Sequence, residues 1–423
     1  MHITILAYGS RGDVQPYIAL GLGLKQAGHK VRVAAPEMFR SFVTDHNLEF
    51  APLAGDPRIL IQDAVERGGG RTSLLRIGPA ILKYAAPLAL QVIKDARQAC
   101  QGTEAIIHTF LTAVVGHEIA LQMAVPDFAT LLFAVFSPTG AFPNATFPDL
   151  PLGSRYNRIT HRLFTQVYKS GGQLAYSWIT RGKHDIYPPL TEWPFAASSR
   201  RITPILYGFS PTIIPKPPEW NERTHVSGFW LLQPESSGPS ELTAFLEAGP
   251  PPVCISFGSV IDSDAQWLTG LALEALARTG QRGVLVKGWG GLSVDEVSSD
   301  IFVLESVPFD WLFPQVSAAV IHGGIGTTAA AMQAGIPVVI IPFTADQGFW
   351  GKQVHRLGLG PEPLPRHRLT ADRLAQAIKD TQDDASIRQN AYQIGQKLQA
   401  EDGVHNAVQI IEFYLQDEYK AKS

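Results

Sequence analysis

The segment His322-Gly323-Gly324-Ile325-Gly326-Thr327-Thr328 follows an apolar run and opens into an alanine-rich stretch, Ala329 to Ala334, that closes at Gly335. Strand, glycines and helix start together make a phosphate cradle. Glycines let backbone N–H groups approach an anion, and a helix N-terminus adds about half a positive charge. Thr327 and Thr328 can cap or donate, and His322 adds a donor able to carry charge. A tight βα turn whose histidine merely bonds a carbonyl leaves the same trace. Further on, Pro342-Phe343-Thr344-Ala345-Asp346-Gln347 sets a carboxylate and an amide at the end of another apolar run. A carboxylate accepts two hydroxyl protons while an amide donates and accepts, which is the complement of a sugar. An Asp-capped helix through Phe349, Trp350 and Val354 fits the same residues. Near the N-terminus, Ser10-Arg11-Gly12-Asp13 ends the first apolar run. The plain reading of Asp13 is an N-cap for a helix carrying Pro16 in its first turn.

These residues need strands and helix starts to hold them, and the chain supplies both. Ile3 to Leu6, a glycine-rich turn, a helical segment ending at Gly28 and the strand Val31 to Ala35 read as a βαβ unit. Similar alternation at Ala105 to His108 and Phe128 to Phe133 argues for a parallel sheet covered on both faces, whose ligands sit beyond the strands' carboxyl ends. Arg155 to His184 reads as helical. Pro211, Pro215, Pro217 and Pro218 break the periodicity at mid-chain and mark a linker. Strands then restart at Val253, Gly283, Phe302, Ala318 and Val338, and a helix from Val404 to Tyr419 closes the chain. Two α/β domains in series follow, in keeping with a length of 423 residues. The expected division is 1–218, 219–402 and a terminal helix 403–423. Normal globular composition excludes disorder and fibrous rods, and a net charge of -3 excludes a global field for nucleic acid. Two unpaired cysteines, Cys100 and Cys254, and an N-terminal apolar run too short for a signal peptide point to a cytoplasmic protein.

With these motifs in place, Val307-Pro308-Phe309-Asp310-Trp311-Leu312-Phe313-Pro314, the His322 to Thr328 turn and the Pro342 to Gln347 segment together resemble the donor-binding signature of nucleotide-sugar glycosyltransferases, in the sterol glucosyltransferase branch. Gly9 to Pro16 and Leu206 to Pro211 are similar to that branch too. The resemblance implies the GT-B fold: two Rossmann-like α/β domains facing across a cleft, with the terminal helix crossing back to the first. It implies a diphosphate site at His322, Gly323, Gly324, Gly326 and Thr327 and a hexose site at Asp346 and Gln347. It further implies a nucleobase contact at Val307, an aromatic at Trp289 near the base, and closure over the phosphates by Gly258 and Ser259. Ser10, Arg11 and Gly12 join the donor contacts, and Asp13 becomes the general base of an inverting transfer, with His322 stabilising the departing diphosphate. No metal or other cofactor is then required, the UDP-sugar being a co-substrate. Two positions depart from the pattern. Ile321 stands where relatives often carry a second histidine, and Lys287 stands where they carry a small polar residue, which bears on UDP against dTDP.

The acceptor leaves fainter traces. Phe133, Phe136 and Phe142 lie where an apolar acceptor pocket would be built, although most such aromatics are core. Arg155, Arg158, Arg162, Lys169, Arg181 and Lys183 interleave with aromatics in a way that suits an anionic membrane surface, a solvated helix face being the commoner explanation. Asp262-Ser263-Asp264 spells a metal-binding D-x-D but reads as helix-capping polar residues, and Asn144-Ala145-Thr146 is a sequon without an export signal. The resulting expectation is transfer of a hexose from a UDP-sugar to a hydrophobic hydroxylated acceptor such as a sterol. A natural-product glycosyltransferase, a nucleotide-sugar epimerase and a non-catalytic nucleotide-sugar-binding protein are the rivals.

Overall fold

The computed structural model describes residues 1–56, 74–182, 190, 203–232, 238–258, 265–288, 292, 297–343 and 346–422. The chain divides into two compact units. The first comprises Met1–Asn144, Leu150–Leu232 and Asp402–Ser423, and the second Ala145–Asp149 and Gln233–Glu401.

In the first unit seven strands form one sheet: β1 (His2–Leu6), β2 (Lys30–Pro36), β3 (Glu49–Leu53), β4 (Ala105–His108), β5 (Asp127–Leu131), β6 (Ile205–Tyr207) and β7 (Thr224–Val226), in the order β3-β2-β1-β4-β5-β6-β7 and all parallel. Parallel strands need crossovers on both faces, which is why β1, β4 and β5 are buried almost end to end and read as apolar runs. The strand order reverses between β1 and β4, and the carboxyl ends at such a reversal are where this architecture leaves a crevice.

The helix after β1 runs Arg11–Gln26 with Ser10 at its N-cap. It therefore begins earlier than a cap at Asp13 would place it. Asp13 is the third helical residue and Pro16 lies in the second turn, not the first. The proline-rich mid-chain passage is no linker either. Trp220 within it is buried and stacks on Tyr207 with ring centroids 4.8 Å apart, and its indole N–H donates to the Ser137 carbonyl at 3.0 Å. Strand β7 then adds to the same sheet, so the division falls after Leu232 rather than after residue 218.

The terminal helix Gly403–Lys422 packs on the first unit. Ala407, Val408, Ile411 and Leu415 are buried, Asn406 Nδ2 donates to the Ser227 carbonyl at 3.0 Å, and the Tyr414 ring meets Phe128 edge-on.

The second unit holds a five-stranded parallel sheet: β8 (Val253–Ser256), β9 (Gly283–Val286), β10 (Ile301–Leu304), β11 (Ala318–Ile321) and β12 (Val338–Ile340), in the order β10-β9-β8-β11-β12. Its core joins Val253, Ile255 and Leu285 of the sheet to Leu268, Ala272, Leu374 and Ile378 of flanking helices. Here the order reverses between β8 and β11, so the loops after these two strands meet at the switch point.

Candidate active site

The turn after β11 carries His322. Gly323 adopts φ 89°, and a Cβ there would fall 2.8 Å from Ile340 Cγ2 and 2.9 Å from the Gln347 carbonyl oxygen, so only glycine fits. Gly324 is the N-cap of the helix Ile325–Ala334, and a Cβ on it would lie 2.3 Å from His322 Nε2. From the neighbouring β8 loop, Gly258 approaches the same ring. It sits at φ 61°, and its Cβ would stand 2.7 Å from His322 Cε1. Thus the imidazole is bracketed by two glycines from the two loops of the switch point, and no side chain intervenes between ring and backbone. A Cβ on Gly326 would meet nothing within 4 Å, which leaves the first turn of the helix open above its N–H groups. Thr327 follows in that turn, partly buried, and the Thr328 hydroxyl is turned back to the Gly324 carbonyl at 2.9 Å.

His322 is buried, its Nδ1 has no hydrogen-bond partner among the described residues, and loss of solvation pushes its pKa down to about 4. The ring is therefore neutral near pH 7 and carries a single N–H. An anion arriving at the helix N-terminus would raise the imidazole's basicity and receive its proton as a hydrogen bond.

Asp346 occupies the N-cap position of the helix Gln347–Arg356 but makes no capping bond through its side chain. The carboxylate is thus not engaged as a cap. Gln347 is buried, and its Oε1 accepts the Phe343 N–H at 2.7 Å, so one end of its amide closes the strand-to-helix turn. Val307 is buried in the loop between β10 and the short helix Phe309–Leu312. Lys287, at the end of β9, pairs with Glu305 at 2.8 Å. Ser259, Trp289, Lys183 and the Asp262-Ser263-Asp264 triplet lie outside the described residues.

In the first unit, Asp13 ends up beside the loop after β1. The Ser10 N–H and the Ser10 hydroxyl both donate to its Oδ2, at 2.8 and 2.9 Å, and among the described residues no donor reaches Oδ1. Gly9, at φ 138°, makes room for this carboxylate: a Cβ there would fall 2.5 Å from Oδ2. Burial raises the carboxyl above the ordinary aspartate range, against the opposing effect of the Ser10 hydrogen bonds. A carboxylate that is both oriented and made more basic is what proton abstraction needs. Arg11 is exposed, its Nε donating to Gln15 at 2.9 Å and its guanidinium lying over the Phe42 ring; Gly12 separates it from Asp13.

Phe133 and Phe136 come together around Phe110, at 5.2 and 5.8 Å between centroids, with Phe164 and Tyr168 completing the group. Phe142 is seated elsewhere, against Trp220 and His161. Phe110 is the centre of this cluster, and its position after β4 is the only trace of it in the sequence. Asn144 is fully buried with its amide on the Val135 carbonyl, so the sequon is closed to modification in the folded chain.

Sequence reasoning missed a second polar cluster. Asp127, at the start of β5, is buried with one oxygen, Oδ2, shared by His108 Nε2 at 2.9 Å, His117 Nδ1 at 2.8 Å and the Thr203 hydroxyl at 3.0 Å. These donor types suit a divalent metal, but the separations are those of hydrogen bonds. Both imidazoles are buried.

Residues 3–116 match the glycosyltransferase family 28 N-terminal domain, and residues 288–412 match the erythromycin biosynthesis protein CIII-like C-terminal domain. A sterol 3-beta-glucosyltransferase of Arabidopsis thaliana is 35% identical over 96% of this chain and 64% of its own length. One from Cryptococcus neoformans is 34% identical over 97% of this chain and 27% of its own length. The chain thus spans less than two thirds of these relatives. Among solved structures, the calicheamicin glycosyltransferase aligns over 98% of both chains with a TM-score of 0.70 at 17% identity. A Streptomyces glycosyltransferase complexed with thymidine diphosphate aligns over 97% of this chain and 99% of that one, with a TM-score of 0.63 at 20% identity. Matches in each unit, similarity along nearly the whole chain and a shared fold lead to one conclusion: residues 3–116 belong to the family 28 glycosyltransferase N-terminal domains and residues 288–412 to the EryCIII-like C-terminal domains, in a chain of the GT-B fold.

Proposed function

We propose that this protein transfers a hexose, glucose from UDP-glucose, to a hydroxyl of a hydrophobic acceptor such as a sterol, with inversion and without a metal ion. The observation that carries this reading is the bare, buried imidazole of His322, held between Gly258 and Gly324 at a helix N-terminus. That arrangement suits a diphosphate leaving group. Its charge is met by the imidazole N–H and the open first turn of the helix, which take the place of a cation. Asp346 and Gln347 receive the hexose hydroxyls. Asp13 removes the acceptor hydroxyl's proton through Oδ1 as that oxygen attacks the anomeric carbon and the carbon–diphosphate bond breaks. With one base and no second nucleophile assigned, the displacement is single and an α-linked donor yields a β-glycoside.

The sterol and the glucose rest on similarity to the sterol 3-beta-glucosyltransferases. A second reading, transfer from a dTDP-sugar to a natural product, is favoured by the CIII-like match and by Lys287 at the base-side strand end. Product analysis of the full chain with UDP-glucose or dTDP-glucose and a panel of sterols and macrolide aglycones decides between them. A sterol β-glucoside from UDP-glucose supports the proposal, and proton NMR reads its anomeric configuration. An α-glycoside, a macrolide product alone, an epimerised donor, or donor binding without turnover each defeats it. Activity should also persist after exhaustive EDTA treatment; complete inhibition reversed by added metal would refute the metal-free scheme.

A further inference from the structure

The helix Gly153–Ile179 has two unlike sides. One is anchored: His161 and Tyr176 are buried, and the Tyr168 hydroxyl donates to the Phe110 carbonyl at 2.6 Å. On the other, Leu152, Ile159, Leu163, Val167, Leu174 and Trp178 are each between 46% and 72% exposed. At 3.6 residues per turn these positions fall within an arc of roughly 100°. A surface helix ordinarily presents polar residues there, and a continuous exposed apolar stripe marks an interaction surface.

Charge runs alongside the stripe. Arg155, Arg162 and Lys169 recur every seven residues on its flank, and Arg158, farther round, pairs with Glu219 at 3.2 Å. No Asp or Glu occurs between 153 and 179, although the whole chain carries a net charge of -3. Among the described residues no helix is long and apolar enough to cross a membrane.

We propose that this helix is the face by which the protein lies on an anionic lipid bilayer, its apolar stripe entering the headgroup boundary and its cations meeting lipid phosphates and carboxylates. An apolar face flanked by basic residues is the pattern of helices that lie in the interface plane. The charge selects this occupant over a second copy of the chain, because a two-fold pairing through the stripe would bring the same cations together.

The experiment is flotation of the full chain with sterol-free vesicles of phosphatidylcholine, alone or with phosphatidylserine. The chain should float with the phosphatidylserine vesicles and dissociate as salt is raised. Each cation near such a surface is worth about five-fold in partition, so the triple variant Arg155→Ser, Arg162→Ser, Lys169→Ser should lose roughly a hundredfold on phosphatidylserine vesicles. Leu163→Ser, Val167→Ser, Leu174→Ser should lose at least about ten-fold on both kinds of vesicle, since three buried apolar side chains are removed. Five of the six positions are exposed and Lys169 is half-buried, so an unchanged melting temperature verifies that both variants fold. Failure of the parent chain to float, parent-like partition of both variants, or an apolar stripe that instead supports a salt-insensitive dimer overturns the proposal. The vesicles contain neither sterol nor nucleotide sugar, so the result is independent of the transferase reading.

Discussion

At the residue scale the proposed chemistry turns on one imidazole and one carboxylate. His322→Ala should lower the transfer rate by about 10²-fold or more, a typical loss for one transition-state donor, with the fold intact. Steady-state kinetics of the variant check this, and unchanged turnover would remove His322 from the mechanism. Asp13→Asn tests the base. An asparagine oxygen can still accept a Ser10 donor, so the helix start and melting temperature should hold while transfer falls by roughly 10²- to 10⁴-fold. Because burial raises the Asp13 carboxyl, the rise of kcat/KM with pH should lie above the ordinary aspartate range and disappear in the variant. The glycines around His322 are legible in the sequence because a strand-to-helix turn is written in adjacent residues. The role of Gly258 toward that ring is legible only through a family resemblance, since the two are brought together by strand order. Asp13 lies most of a turn deeper in its helix than the sequence suggests, because Ser10 and Asp13 are both good caps and only the folded backbone shows which starts the helix.

At the scale of elements, the parallel strands are legible because burial on both faces writes them as apolar runs. What ties them together is not. Asp127 joins β4, β5, the segment entering β6 and the helix Ala113–Met123 through partners separated by up to 76 residues, and no local pattern announces such a cluster. Burial works to raise the Asp127 carboxyl, but hydrogen bonds from His108 and His117 outweigh it and hold the group below its ordinary range, while burial lowers His108. The sign for stability is the same for both. As pH falls below the unfolded histidine value near 6.5, the unfolded chain takes up a proton that His108 refuses, and at more acid pH it takes another that Asp127 refuses. Urea midpoints of the full chain should therefore fall from neutral toward acid pH. Asp127→Ala, which strands two buried imidazoles, should cost on the order of 3 kcal/mol at neutral pH, read from the same denaturation curves. A loss below the error of extrapolation would mean that the cluster contributes little.

For the whole molecule, two α/β units and a returning terminal helix are foreseeable from the restart of strands at Val253 and the apolar spacing after Val404. The boundary is not, since a run of prolines reads as a tether whether it spans open solvent or, as here, lines a buried tryptophan. Residues Asp402–Ser423 complete a unit that otherwise ends at Leu232. On the ribosome this inverts the order of maturation. The second unit, encoded later, has all its parts before residue 403 emerges, whereas the first waits for the helix beyond that point to cover Phe128 and Ile411's neighbours. A released chain ending at Asp402 should accordingly resist protease in the second unit while remaining cleavable in the first, so that a premature stop there leaves the unit bearing Asp13, rather than the one bearing His322, to quality control.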